Sequence, residues 1–228
     1  MKISIIIPCY NEINTIEKII DKILLQEKFN KEIIVIDDYS TDGSKNLLES
    51  IKHKYDRLII NSKNYGKGYS IKKGISIATG DVILIQDADL EYDPSDYEKL
   101  IQPIIQDNAD VVFGSRFVGA GEKRVLFFWH SLGNKLLTLL SNMFTNLNLT
   151  DMESGYKVFR SNIIKNINLN ENRFGFEPEI TAKISKLNIK IYEVGVQYHG
   201  RKYSEGKKIT WRDGFAAIYC ILKYNIFK

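Results

Sequence analysis

The 228-residue sequence predicts an α/β fold, a single Rossmann-like, mostly parallel sheet flanked by helices. Three observations predict it. Short apolar runs recur through the first 115 residues and alternate with segments whose apolar residues fall at helical spacing. Acidic pairs follow two of these runs directly, where sheets of this kind hold ligands. The composition, 44% hydrophobic and 26% charged, belongs to a chain able to bury a real core.

The elements follow in order. Ile3–Ile7 is largely apolar and reads as a buried strand, and Pro8 ends it. Ile13, Ile16, Ile19, Ile20, Ile23 and Leu24 mark one face of a helix. Ile33–Ile36 is a second strand, and Leu47, Leu48 and Ile51 mark a second helix. Leu58–Ile60 is a third strand; Ile71, Ile75 and Ala78 carry a third helix. Val82–Ile85, a helix over Tyr97–Ile105 and Val111–Phe113 complete the alternation. The second half is less regular. Val125–Leu147 reads as one or two amphipathic helices, interrupted by His130, Gly133, Asn134 and Lys135. A strand over Tyr156–Phe159, a helix over Pro178–Leu187, a strand over Ile189–Tyr198, a basic loop over 199–208 and a closing amphipathic helix over Trp211–Phe227 follow. With no internal repeat or linker, residues 1–228 are expected to form one domain, in a first half 1–117 and a second half 118–228.

Several classes of function drop out. Cys9 and Cys220 make no CxxC, and three histidines are too few for a His-based metal site. A disulfide framework is not expected, and a reducing cytosol suits the chain. The N-terminal apolar run is too short for a signal peptide, and no run of about 18 apolar residues exists for a membrane span. The net charge of +4 is uneven. Residues 199–228 hold seven Lys/Arg against two Asp/Glu, so the whole basic excess lies there. A nucleic-acid binder would spread its basic residues over a docking face, so nucleic acid is not expected as a partner. One local basic device for an anionic partner is.

The strand ends carry the chemistry. Asp37-Asp38 follows the second strand, and Asp87-Ala88-Asp89 follows the fourth. In an extended segment Asp87 and Asp89 point to the same side, about 6–7 Å apart, and can share one divalent cation. Oxygen ligands with no His or Cys nearby favour Mg²⁺ or Mn²⁺, an ion that usually completes its shell with substrate phosphates. Asp42, in Thr41-Asp42-Gly43-Ser44, reads instead as a turn former.

These motifs resemble those of family 2 glycosyltransferases, especially dolichol-phosphate mannose synthases and the bacterial polyprenyl-phosphate hexose synthases. The resemblance rests on Ile5–Glu12, Val35–Ser44 and Gln86–Pro94, and continues through Asn64–Gly68, Gly114–Phe117 and Glu205–Lys208. It implies a GT-A fold, a nucleotide-diphospho-sugar donor, and Mg²⁺ or Mn²⁺ held by Asp87 and Asp89. By position, it assigns the nucleoside to Pro8, Tyr10, Glu12, Ile36 and Asp38, and the diphosphate to Asp87, Ala88 and Asp89. Lys67 and Glu91 fall inside the matching motifs and join the donor-binding set. A ring such as Tyr10 offers a stacking face, and Glu12 or Asp38 can accept from a base N–H or a ribose hydroxyl.

Arg116 follows the fifth strand and can clamp a phosphate, or else pair with a strand-end acid. Arg201 and Lys207 stand six apart, at the spacing where the resembled family closes a basic loop over donor and acceptor phosphates. With Asp89, these three form the expected catalytic set. The implied acceptor is a polyprenyl phosphate, already anionic and in need of no general base. Glu177 and Glu179 are the candidate bases if the acceptor is a hydroxyl, and otherwise favourable acids at a helix N-terminus. Leu126–Trp129 beside Lys123-Arg124 reads as an interfacial segment or a core helix, and the resemblance places a membrane-facing element there, with His130, Asn134 and Lys135 toward lipid phosphate or bilayer headgroups. Lys208, Arg212, Lys223 and Lys228 add attraction to an anionic bilayer. The expected location is the inner, cytoplasmic face of the membrane, held peripherally or through a membrane-protein partner. A hydroxyl acceptor in polysaccharide or glycolipid assembly, and an inactive nucleotide-sugar-binding subunit, are the rival expectations.

Overall fold

The computed structural model describes the chain except residues 120–123, 126, 203–205, 207–210 and 228, and the side chain of Trp211. Seven strands form one sheet: β1 (Lys2–Cys9), β2 (Asn30–Asp37), β3 (Arg57–Ile60), β4 (Val82–Ile85), β5 (Val111–Ser115), β6 (Lys157–Arg160) and β7 (Ile191–Gly195). Their order is β3-β2-β1-β4-β6-β5-β7. Between them run α1 (Ile16–Leu24), α2 (Ser44–Ser50), α3 (Lys67–Ile77), α4 (Tyr97–Ile105), α5 (Phe128–Thr145), the short α6 (Ser161–Ile164), α7 (Phe176–Ile184) and α8 (Trp211–Asn225).

The Ile-rich strands are buried on both faces. Ile3, Ile5 and Ile7 pack with Ile16, Ile19, Ile20 and Ile23 of α1 and with Leu100, Ile101 and Ile104 of α4. Ile6, Ile34, Ile36, Ile83 and Ile85 face the other way, onto α3, α7 and Ile221 of α8. Alternation along each strand therefore feeds two apolar layers at once, as continuous apolar strands require.

Two differences from the sequence reading matter. β6 is antiparallel to both neighbours and lies between β4 and β5, so β5 is not beside the strand that precedes it. An apolar run cannot announce its own direction, because both orientations bury the same side chains. Ile36, expected at the nucleoside, is instead fully buried beneath the sheet, with its methyl tip facing Gly74 of α3. Its position in β2 turns the side chain into the core, not toward the strand end.

From β1 the chain winds outward through β2 and β3 on one side and through β4 on the other. That reversal opens a crevice at the carboxyl ends of β1 and β4, the place where open α/β sheets bind ligands.

Candidate active site

A cleft of about 1230 Å³ occupies this crevice. Its floor is the loop after β4, its near wall the end of β1, and its far wall α5, α7 and α8. Pro8, Tyr10, Glu12, Asp38, Lys67, Asp87, Ala88, Asp89, Glu91, Arg116 and Arg201 all line it, so one space gathers most of the residues singled out from sequence. Lys207 lies outside the described residues.

Asp38 is buried and organises the near wall. Its Oδ1 accepts from Asn61 Nδ2 (2.8 Å) and the Tyr65 amide (3.0 Å), and its Oδ2 accepts from the Gly66 amide (2.7 Å). Three protein donors thus already engage the carboxylate expected to meet a base or ribose. What Asp38 does here is fix the loop that launches α3. Gly66 turns that loop at φ +103°, where a Cβ would overlap the Asn172 carbonyl. Lys67, the next residue, then points its ammonium into the cleft. It bridges Asp87 Oδ1 at 2.8 Å and Glu177 Oε1 at 3.1 Å. Burial would lower its pKa, but the two carboxylates outweigh burial and hold Lys67 firmly charged.

Asp89 stands apart from Lys67. Burial, then repulsion from Asp87 and Glu91, push its carboxyl up to about 7, against the pull of Arg201. This corner carries more negative charge than its own cations satisfy. Asp87 and Asp89 therefore fit a hard divalent cation. Among the described residues no group of three His, Cys, Asp or Glu forms a metal cage, so such an ion would take further ligands from outside the protein.

Arg201 reaches across the cleft from the segment after β7. Its guanidinium meets Glu12 through two 3.0 Å bonds and Asp89 Oδ2 at 3.1 Å. Its amide donates to Glu91 Oε1 at 2.7 Å, while Tyr198 donates its hydroxyl to Glu91 Oε2 at 2.8 Å. Glu91 is thereby the anchor of this crossing segment, and Glu12 is tied to it through Arg201.

Arg116 takes a different partner from those expected. Its Nε donates to Asp151 Oδ2 (2.6 Å) and an Nη to Oδ1 (2.7 Å), with a further bond to Asn134 of α5 (3.2 Å). Asp151 is fully buried and Arg116 partly so, and Arg116 outweighs burial to hold Asp151 below the usual carboxylate range. The fork is thus closed on Asp151 and joins the end of β5 to α5, not to Asp87 or Asp89.

The two acids of α7 part company. Glu179 accepts from the amides of Asn170 and Glu171 and pairs with Lys183, a structural role. Glu177 faces the cleft, and its Oε2 is buried with no hydrogen-bond partner among the described residues.

Glu153 and Lys157 escaped the sequence reading. Glu153 lines the cleft, and its Oε1 is likewise buried and without a partner among the described residues. Burial and the neighbouring Glu177 push it up to about 8, against Lys157 and Arg116. Lys157 is fully buried on β6, and donates to the Met152 and Ser154 carbonyls. Burial lowers it to about 8. A lysine inside the apolar run Tyr156–Phe159 was the available signal; Glu153 follows no strand and offered none.

α5 is one helix with an unusual orientation. Thr138, Ser141 and Thr145 are buried, while Trp129 (76% exposed), Leu132, Leu136, Leu139 and Met143 (71%) face outward. Trp129, His130, Asn134 and Leu136 also line the cleft. Phe215, Tyr219 and Phe227 of the C-terminal segment are exposed as well. No helix among the described residues is long and apolar enough to cross a membrane. Of the basic residues expected at a bilayer, Lys223 pairs with Glu171 at 2.8 Å, and Arg212 is exposed and lines the cleft. Lys208 and Lys228 lie outside the described residues, as do Lys123 and Leu126.

A family model described as Glycosyl transferase family 2 matches residues 4–167. A dolichol-phosphate mannosyltransferase of Pyrococcus furiosus is 30% identical over 99% of this chain, which spans 65% of that protein's length. A UDP-N-acetylglucosamine–dolichyl-phosphate N-acetylglucosaminyltransferase of Methanococcus voltae is 29% identical over 99% of this chain and 97% of its own. Among solved structures, a glucosyl-3-phosphoglycerate synthase of Mycobacterium tuberculosis bound to Mn²⁺, uridine diphosphate and glucosyl-3-phosphoglycerate superposes with a TM-score of 0.77. It is 19% identical, with 98% of this chain and 80% of that one covered, a likeness of fold: GT-A.

Proposed function

The chain belongs to glycosyl transferase family 2, and from that premise we propose that this glycosyltransferase moves a hexose from a nucleotide-diphospho-sugar to a polyprenyl phosphate, with inversion at the anomeric carbon. One observation carries the choice of acceptor: the helix that turns an apolar face outward also walls the cleft through Trp129, His130, Asn134 and Leu136. A lipid tail held along that face delivers its phosphate into a polar site. Exposed contiguous apolar surface of this kind marks a membrane or partner contact. The curated relatives named for dolichol-phosphate transfer support the same reading.

In this reading the base stacks near Tyr10 beside Pro8, and Glu12 and Asp38 shape the nucleoside pocket. Asp87 and Asp89 would hold Mg²⁺ or Mn²⁺ beside the donor diphosphate. The ion supplies neutralising charge for the leaving diphosphate. Lys67 keeps a fixed positive charge next to Asp87. Arg201, with Lys207 six residues on in the sequence, counters the phosphate charge, and Arg116 sets the acceptor side through Asp151 and Asn134. An acceptor phosphate oxygen forms its bond to the anomeric carbon as the bond to the donor phosphate oxygen breaks. The electron pair leaves with the nucleoside diphosphate. The acceptor is already an anion, so relief of repulsion is the main task of the site.

A second reading has one observation in its favour. Glu177 lines the cleft, where a general base for a hydroxyl acceptor would stand, and its Oε2 has no hydrogen-bond partner among the described residues. A radiolabelled donor assay with short-chain polyprenyl phosphate separates the two. Acid-labile label in the organic phase is the expected result. Label found only on a free-sugar acceptor overturns the lipid reading, and no transfer to either overturns activity altogether.

A further inference from the structure

Two carboxyl oxygens in the wall of the cleft have no hydrogen-bond partner among the described residues. They are Glu153 Oε1 and Glu177 Oε2, both shut off from solvent. Glu177 is 4% exposed and gives its other oxygen to Lys67. No hydrogen bond from a described residue reaches Glu153 at all, although Lys157 stands nearby. That ammonium donates to the Met152 and Ser154 carbonyls instead. Buried acceptors without donors are costly, and they persist where a ligand brings the donors.

The position of the pair says which part of a ligand that is. Glu177 is one ammonium group away from Asp87, through Lys67 at 3.1 Å and 2.8 Å. The segment carrying Glu153 packs on Asp87 too: a Cβ at Gly155 would overlap the Asp87 carboxylate. Resting on the donor reading above, with the diphosphate at Asp87 and Asp89 and the nucleoside at Pro8, Tyr10 and Glu12, Lys67, Glu177 and Glu153 are left for the group at the other end of the diphosphate. In a nucleotide sugar that group is the hexose, whose hydroxyls are O–H donors.

We propose that Glu153 is a specificity-determining residue, accepting a hydrogen bond from a ring hydroxyl of the transferred sugar beside the free oxygen of Glu177. It touches the sugar and not the nucleotide. Its loss therefore weakens nucleotide-sugar binding and leaves the nucleoside diphosphate alone. A site built around a hydroxyl discriminates strongly against sugars that present no donor there.

The test uses the full chain with Mn²⁺ and measures the affinities of UDP, GDP, UDP-glucose, UDP-GlcNAc and GDP-mannose by calorimetry, for wild type, Glu153→Gln and Glu153→Asp. Glu153→Ser serves if either fails to fold. The expected result is a free-diphosphate affinity within twofold of wild type in every variant. The preferred nucleotide sugar is weakened at least about tenfold in Glu153→Gln, with the ranking of the three sugars flattened and partial recovery in Glu153→Asp. Unchanged sugar affinity and ranking in Glu153→Gln and Glu153→Ser overturn the proposal while wild-type binding upholds the donor reading. Equal loss of diphosphate and sugar-diphosphate affinity also overturns it, since Glu153 would then act on the nucleotide end. A wild type that binds none of the five ligands overturns the donor reading, and the proposal with it.

Discussion

Glu153, half-buried in the cleft wall, illustrates how a single acid couples the site to the stability of the fold. Burial and Glu177 raise it from an ordinary 4.5 to about 8, Lys157 and Arg116 oppose the rise, and Asp151 adds to it. The unfolded chain releases this proton near 4.5, whereas the folded chain keeps it to about 8. Folding therefore takes up a proton between those values, and stability falls as pH rises through the window. Glu153→Gln removes the effect. Without ligand, its melting temperature is expected to exceed that of wild type by a margin that grows from pH 5 to pH 8 and then levels, as read by circular dichroism. A constant margin overturns the assignment. Asp151 works in the opposite sense. It is fully buried in its fork to the partly buried Arg116, and removing it strands the guanidinium charge. Asp151→Ala is expected to lower unfolding free energy by about 3–5 kcal/mol in urea titrations.

Elements place these residues, and two of them invite direct tests. The loop into α3 turns at Gly66, in a backbone region that glycine alone tolerates. Gly66→Ala is expected to cost about 1–3 kcal/mol. It should also weaken nucleotide binding, because Lys67 follows immediately. A stability loss with unchanged binding would detach the loop from the site. α5 carries the second test. Leu139 and Met143 are exposed, and neither lines the cleft. The pair Leu139→Glu and Met143→Glu is expected to leave stability within about 0.5 kcal/mol for each change, the usual range for surface positions. It should abolish flotation with anionic liposomes and reduce transfer to lipid acceptors, with nucleotide binding intact. Continued flotation would move the membrane contact elsewhere. The periodicity of α5 was legible from Val125–Leu147, but its direction was not. Leu137 and Leu140 face the core while Leu136 and Leu139 face out, and a stripe of apolar residues on every side cannot say which is covered.

Across the whole molecule, charge balance governs the site. Asp87 is met by Lys67, but Asp89 remains short of positive charge even with Arg201 beside it. Mn²⁺ with a nucleoside diphosphate should therefore raise the melting temperature more than either alone, by mass action on the folded state. Chelation should abolish transfer, and Asp89→Ala should reduce it at least about a hundredfold. Activity that survives both chelation and Asp89→Ala would remove the metal from the reading.

The strands, the helices other than the short α6, and the acids at the ends of β2 and β4 were readable along the chain. Each depends on periodicity or on a residue's place just after an apolar run, and both are local properties. Lys67, Asp87, Asp89 and Arg201 could be named this way because their motifs are contiguous. The partnerships were not readable. Arg116 closes on Asp151 thirty-five residues away, Arg201 lies on Glu12 from across the sheet, and Ile36 turns into the core. Glu153 meets Glu177 only because β6 inserts antiparallel between β4 and β5 and brings the segment before it under the cleft. Hydrophobic pattern records which residues leave water. The strand order records which of them meet, and long-range packing fixes that order through contacts that no short stretch of chain contains.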